Sequence, residues 1–415
     1  MGNISFPYLG NSKIMALVIS VHVFFAFFAV GGLAMAVFLE WFGMRKSEPV
    51  YVAFSKRLNH FLADMMKING VLGVTIIVLL IGLWGKFTVE LYSITFWTFV
   101  AEGMGFLFLM IFSVAYRRSY EHRNRSVHFF YGCMAVFAAV ISAFFINVIW
   151  AFMLMPGKWL VTKNRWDAFF NPIMVESSIH LIVPCLLNAL VFLFLWTLYK
   201  ERKTKDGSYQ KLNALFANML ANLVIIQPIS GVSFLLKVRR AGEQYLGSPK
   251  PYDQIIDGVA TPFFYAMISL AAIAVFATIP YRTLGHAKGR KFLIITSIAL
   301  CSAFFMGAYT RERARKPFLI HSYMYMNMKT VAGAAESKPI NPGLSVYEAF
   351  GCATCHKLKG CGGTFGPVLD GVADKYTPET LPLFLRNPTS DVMPKFEGSD
   401  AEIGSLVQFL LSKDK

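Results

Sequence analysis

Eight apolar stretches, each long enough to cross a lipid bilayer, constrain this chain more than any other feature. They lie near residues 14–42, 61–84, 91–116, 127–152, 173–199, 212–236, 259–280 and 291–309. About 20 apolar residues suffice to span the hydrocarbon core. Every backbone N–H and C=O in lipid must find a partner, which a helix supplies within one segment. The expected fold is therefore all-α: a polytopic membrane helix bundle of about eight transmembrane helices. Composition agrees, because 15% of the 415 residues are charged, whereas soluble domains carry about a quarter.

The links between these stretches alternate in charge. "MRKSEPVYVAFSKR", "YRRSYEHRNR", "YKERKTKDGSYQK" and "YRTLGHAKGRK" hold 17 Lys and Arg residues, whereas the links near 85–90, 153–172 and 237–258 hold eight. The positive-inside rule makes the first set cytoplasmic. The N-terminus then lies outside, and an even number of spans returns the tail outside. The net charge of +16 is accounted for by these loops, so no nucleic-acid partner is expected. Residues 14–42 are too long for the apolar core of a cleavable signal, and no small-residue cleavage site ends them.

The tail carries a different chemistry. "AFGCATCHKLKGC" (349–361) contains Cys352-x-x-Cys355-His356, the spacing that attaches a haem through two thioethers and ligates its iron through the histidine. That attachment occurs on the outer side of a bacterial inner membrane, where the charge pattern independently puts the tail. Downstream come "GTFGPVLDGVADKY", "NPTSDVMPKFEG" and the terminal amphipathic run "SDAEIGSLVQFLLSKDK". Met393 is the only methionine after residue 328, and a methionine thioether is a common second axial ligand. This layout resembles a class I cytochrome c. The expected organisation is a membrane domain over 1–327, a polar linker over 328–343 and a small all-α cytochrome c domain over 344–415. Cys133, Cys185 and Cys301 stand alone in apolar runs and read as core residues. Cys361 is either a local substitution or a reactive thiol.

A group inside a span that can ionise or bind iron is a functional candidate, because burying it unpaired is costly. Among them are His22 in the first span, Glu102 in the third, His180 in the fifth and Met267 in the seventh. His180 and Met267 each fall about seven residues in from the outer side, roughly 10 Å deep at 1.5 Å per residue. His22 falls about eight residues in from the same side. Three potential iron ligands thus share one layer, on the side of the covalent haem. The plainer alternative is that the histidines satisfy local polar contacts and Met267 fills the core.

These residues resemble subunit I of the cytochrome bd oxidases over most of residues 10–320. "SVHVFFAFFAVGGLAMAVFLEW" is similar to that family's first helix, which implies a high-spin haem ligand at His22 and a family glutamate at Glu40. "VAEG" matches the segment with the mid-membrane glutamate, Glu102. "SAFFINVIWAFMLMP" is similar to the helix end that closes in Met-x-x-Pro. "NPIMVESSIH" and "FFYAMISLA" put His180 and Met267 at the two ligand positions of the low-spin haem b. "ERARKPF" stands at the family's Glu-Tyr-Gly-Arg-Gln-Pro-Trp, which implies Glu312 as ligand of a second high-spin haem and Arg315 as a propionate partner.

The departures carry information too. Quinol-oxidising members have a long extracellular loop between spans six and seven; here the link is only "KVRRAGEQYLGSPKPYDQIIDG", and the acidic stretch before it reads "IIQPISG". The family's second glutamate is Met110, and a cytochrome c domain replaces the usual ninth span. The resemblance implies a diverged branch in which electrons enter at the tail haem. They would pass to haem b between His180 and Met267, and end at one or two high-spin haems, of b or d type, held by His22 and Glu312. Glu102 would carry protons from the cytoplasmic side. The implied activity is reduction of O2 to water. Two alternatives stand beside it: reduction of nitric oxide or another small molecule, and an electron conduit without substrate chemistry. Implied partners are a membrane subunit similar to cytochrome bd subunit II, or a larger complex, and a periplasmic cytochrome or other redox donor.

Overall fold

The computed structural model describes residues 11–121, 124–204, 207–247, 249–258, 260–315, 342–350, 352, 355–358, 361–362, 366–389 and 393–412. The chain divides into two compact units, Met1–Glu312 and Arg313–Lys415. The stretch expected to act as linker lies almost wholly outside the described residues.

The first unit is helical. Its long elements are α1 (Asn11–Lys46), α2 (Pro49–Leu83), α3 (Gly85–Arg118), α4 (Arg125–Leu154) and α7 (Met174–Thr204). The short α5 (Trp159–Thr162) and α6 (Arg165–Phe169) fill the link between α4 and α7. Then come α8 (Gly207–Leu223), α9 (Ile226–Leu246), α10 (Lys250–Ile256), α11 (Thr261–Phe276) and α12 (Thr278–Arg315). Helices of 30–36 residues reach 45–54 Å at ~1.5 Å per residue, well beyond a ~30 Å hydrocarbon core. Their ends continue past the apolar runs as solvated first and last turns, so the helices are longer than the expected spans. Sharp starts have local causes. Pro49 sits at the head of α2, where its missing N–H costs nothing, and the Asn124 side chain accepts from Ser126 N–H to cap α4.

Among the described residues, seven helical segments are long and apolar enough to cross a membrane. The last of them, Thr261–Ala314, is 54 residues long and folds back on itself. Gly285 has a left-handed φ of 73°, which breaks α12 near its start. Beyond it the chain returns antiparallel to α11. Phe263 and Tyr309 meet with ring centroids 4.5 Å apart, and Thr296 Oγ1 donates to Ala274 O at 3.1 Å. Eight crossings result, in agreement with hydropathy. The sixth span is interrupted between α8 and α9 at residues 224–225. Pro228 has no N–H to continue the hydrogen-bond ladder there.

The core of this unit is a seam of α1, α2, α4, α7 and α8 built on Leu33, Leu39, Leu58, Phe194 and Phe216, all fully buried. Close approach is bought with small residues. A Cβ on Gly31 would come 2.0 Å from Cys185 O, so α1 and α7 touch backbone to backbone. That contact sets the two parallel helices in a register that puts His22 and His180 within about one helical turn of the same level.

The second unit pairs α13 (Pro342–Ala349) with the terminal helix α15 (Asp400–Leu411), with α14 (Thr380–Arg386) beside them. A Cβ on Gly343 would lie 2.1 Å from Ser405 O, so these first and last helices also cross at backbone contact. Val346, Tyr347, Leu381, Leu385, Leu406 and Phe409 form the core. Ser399 and Glu402 form a reciprocal capping box that starts α15. Among its described residues the unit adds to the helices a two-residue antiparallel ladder, β1 (Lys357–Leu358) with β2 (Cys361–Gly362), which pairs Leu358 with Cys361.

Candidate functional site

His356 follows a tight turn in which its N–H donates to Cys352 O at 3.1 Å. Its Nδ1 lies 2.7 Å from Pro367 O. A carbonyl can only accept, so Nδ1 carries the proton and Nε2 keeps a free lone pair, the state an iron requires. Gly366 donates its N–H to Cys355 O at 2.6 Å, and a Cβ there would come 2.4 Å from the His356 ring. Cys352 and Met393 both pack against the core of this unit. Burial pushes the Cys352 thiol up to about 11. The Cys361 side chain lies outside those described.

In the membrane unit, His180 points from α7 at the first turns of α9. Its Nδ1 is 3.0 Å from Ser230 Oγ, and that hydroxyl donates to Gln227 O at 2.9 Å. Ser230 has therefore spent its proton and accepts from Nδ1–H. Nε2 is left as the lone-pair nitrogen, and the Gln227 amide nitrogen lies 3.3 Å from both ring nitrogens. Gln227 Oε1 is buried with no partner among the described residues. Phe234 lies parallel to the ring, 5.6 Å between centroids and 7° between planes. Sequence reading missed Ser230 and Gln227. The signal was the departure "IIQPISG", whose proline breaks the helix where His180 faces it.

Every histidine or methionine singled out from sequence as an iron ligand, Met393 apart, is backed by a glycine. A Cβ would reach 3.2 Å from His22 Cε1 at Gly73, 3.3 Å from His180 Cε1 at Gly231 and 3.0 Å from Met267 Sδ at Gly307. His22 Nδ1 is buried without a partner among the described residues, and Asn69 of α2 is its polar neighbour. At each position the side chain packs directly on a glycine, where a Cβ would take its room. Glu312 ends the membrane unit in the last turns of α12, next to Arg311, whose guanidinium stacks over Trp150 at 5.1 Å. Arg315 closes α12, and its side chain lies outside those described.

Glu102 lies mid-way along α3 and accepts from Ser142 Oγ of α4 at 3.2 Å. A second polar cluster sits four turns further along the same two helices. Tyr116 OH donates to Glu40 Oε2 at 2.5 Å, His128 Nε2 lies 3.1 Å from Glu40 Oε1, and His128 Nδ1 is 2.7 Å from Ser119 Oγ. All four residues are buried.

Residues 13–241, more than half of the chain, match the family model described as cytochrome bd terminal oxidase subunit I. The chain belongs to this family. It is a cytochrome bd-like membrane oxidoreductase with a cytochrome c domain: residues 338–410 match the model of cytochrome c oxidase, cbb3-type, subunit III. Among solved structures the chain is similar to the bd oxidase from Geobacillus thermodenitrificans. That likeness has a TM-score of 0.66 at 18% identity, over 81% of this chain and 93% of the other. At that identity it speaks to the fold, and the bd-type helix bundle is the fold described above. No curated protein matches the chain. Both matched families bind haem, so the donor sets at His22, His180, Met267 and Cys352–His356 sit in a chain from haem-binding families.

Proposed function

We propose that this chain is the redox subunit of a membrane-bound terminal oxidase that takes electrons from a soluble donor and reduces O2 to water. Its domains are the bd-like membrane part over 1–327, a linker over 328–343 and the electron-entry domain over 344–415. In this reading Cys352, Cys355, His356 and Met393 hold one covalent haem c. His180 and Met267 hold a low-spin haem b, and His22 and Glu312 hold one or two high-spin haems of b or d type. Bound haems supply electron relay and an iron open to a small molecule.

The protein's own residues do the rest. Ser230 fixes the His180 tautomer, Pro367 O fixes that of His356, and Arg315 pairs with propionate. Glu102 holds a proton near the membrane centre. The chain sits in a bacterial inner membrane with its N-terminus and cytochrome c domain outside. It pairs with a subunit II-like membrane protein or joins a larger complex, and a periplasmic cytochrome or other redox protein is its donor. The observation that carries this reading is the glycine set against four ligands, Gly73, Gly231, Gly307 and Gly366. Each glycine leaves its ligand side chain the room that a Cβ would take away.

A second reading has one observation in its favour. Met110 stands where the resemblance expects a second glutamate, and it fits reduction of nitric oxide, or electron relay without substrate chemistry. The deciding measurement is a reduced-plus-CO minus reduced difference spectrum of the purified protein. Oxidase function predicts a shift in a non-covalent haem with the c band undisturbed, lost in His22→Ala. Absence of any shift would mean that every haem is six-coordinate, and the relay reading would stand instead.

A further inference from the structure

The stripe of α9 that faces His180 does not end at the imidazole. Gln227, Ser230, Phe234 and Lys237 fall three or four residues apart on that helix, so they share one face. The first three meet the His180 ring. The fourth meets Glu176: Lys237 Nζ lies 3.2 Å from Glu176 Oε1. Glu176 precedes His180 by four residues on α7, which sets it on the same face, one turn nearer the head of the helix. An ion pair thus bridges α7 and α9 one turn from a candidate haem ligand.

Both partners are partly exposed, and pairs of that kind contribute little to stability. A tether is also scarcely needed there, because Val238 and Ala241 of α9 share a buried cluster with Ile173 beside the head of α7. The two directions away from His180 differ in character. Deeper along α7, Val183, Leu187 and Leu190 are buried and apolar. Toward the head of α7, Lys237 is the first cationic residue on either helix. Arg239, two residues on, is engaged with Glu243 at 3.1 Å and with the Tyr252 ring at 5.4 Å. A haem carries two carboxylates, and a buried carboxylate without a cation or water is costly. An ammonium has three donors, so Lys237 can hold a second carboxylate beside Glu176.

We propose that Lys237 binds a propionate carboxylate of the haem held by His180, and that Glu176 is a positioning residue that keeps the ammonium at the junction of α7 and α9. This rests on the proposed haem b at His180 and adds a binding residue to that site. The electrostatic consequence has a sign. Reduction removes one positive charge from the iron, so a nearby cation favours the reduced form and a nearby anion the oxidised form. Lys237 raises the midpoint potential of haem b, and Glu176 offsets part of that rise.

The test reads the carboxylates themselves. The full-length holoprotein is prepared with haem isotope-labelled at its propionate carbons, and redox-difference infrared spectra are recorded beside a potentiometric titration. Lys237→Gln should shift the labelled haem b carboxylate bands and lower the haem b midpoint potential, with the haem c bands unchanged as internal reference. Lys237→Arg, which keeps the cation, should hold both near the parent values. Glu176→Gln should keep the bands and raise the potential. Labelled bands that stay in place in Lys237→Gln overturn the proposal even where the potential moves, because the charge then acts at a distance. Equal shifts in Lys237→Arg trace the effect to packing and overturn it too. If Lys237→Gln fails to accumulate, Glu176→Gln/Lys237→Gln, which strands no charge, is read in its place. A parent protein without low-spin haem b would overturn the His180 assignment and this inference with it. A parent with haem b and unmoved bands in the variant overturns this inference alone.

Discussion

Gly307 of α12 stands opposite Met267 of α11, and a Cβ on Gly307 would come 3.0 Å from the methionine sulfur. The contact joins two antiparallel apolar segments across their basic link, and it ties a candidate ligand to the room that it needs. Gly307→Ala is expected to displace the sulfur and convert the low-spin haem b signal to high spin without touching the c band. Met267→Ala and His180→Ala should each remove that b signal. Retention of the full b spectrum in either would refute that assignment.

Ser230 accepts from His180 Nδ1–H because its own proton goes to Gln227 O. Ser230→Ala leaves a buried N–H unpaired, at a cost of about 1–3 kcal/mol. Its signature should be a shifted midpoint potential of haem b with the six-coordinate spectrum kept. Ser230→Thr, which retains the hydroxyl, should restore the potential. An unmoved potential in Ser230→Ala would show that the hydroxyl does not tune the ligand.

Glu40, His128, Tyr116 and Ser119 form a buried polar cluster remote in sequence and closed in space. Removing one member of a buried, paired set costs about 3–5 kcal/mol, so Glu40→Ala should lower the thermal midpoint of the detergent-solubilised protein markedly. The double variant Glu40→Ala/His128→Ala should cost less than the sum of the two singles. Strict additivity would show that the two do not act as a pair.

The cap of α15 gives the cytochrome c domain an acid-sensitive element. The Ser399 backbone N–H and hydroxyl both donate to Glu402, and they hold its carboxyl below the usual glutamate range. A carboxyl depressed in the folded state stabilises above its unfolded value, ~4.3, and loses that contribution as pH falls through the folded value. Loss of the haem c Soret band's native position on acidification should therefore begin at higher pH in Glu402→Gln than in the parent. Identical acid profiles would remove the cap from the account.

Gly366 lies so close to His356 that any Cβ overlaps the imidazole. Gly366→Ala is expected to accumulate the covalent haem c in reduced amount and with an altered Met393 ligation band near the red end of the spectrum. Normal haem content and an unaltered band would show that the loop has room to retreat.

Sequence by itself determined the elements that depend on local chemistry. Eight crossings follow from runs of apolar residues, because a backbone in lipid must satisfy itself within each helix. The cysteine spacing before His356 is likewise written in consecutive residues. Tertiary structure decided what depends on residues brought together from separate helices. The basic link between the last two spans marks two crossings in sequence, and the left-handed Gly285 with the contact of Phe263 and Tyr309 shows how they fold against each other. Pro228 is visible in sequence, but its effect, setting Ser230 and Gln227 against His180, needs α7 and α9 side by side. Glu102 reads as a mid-membrane carboxylate from either source. The partner it finds is fixed by packing alone, since Ser142 stands on α4, and no single helix encodes that contact.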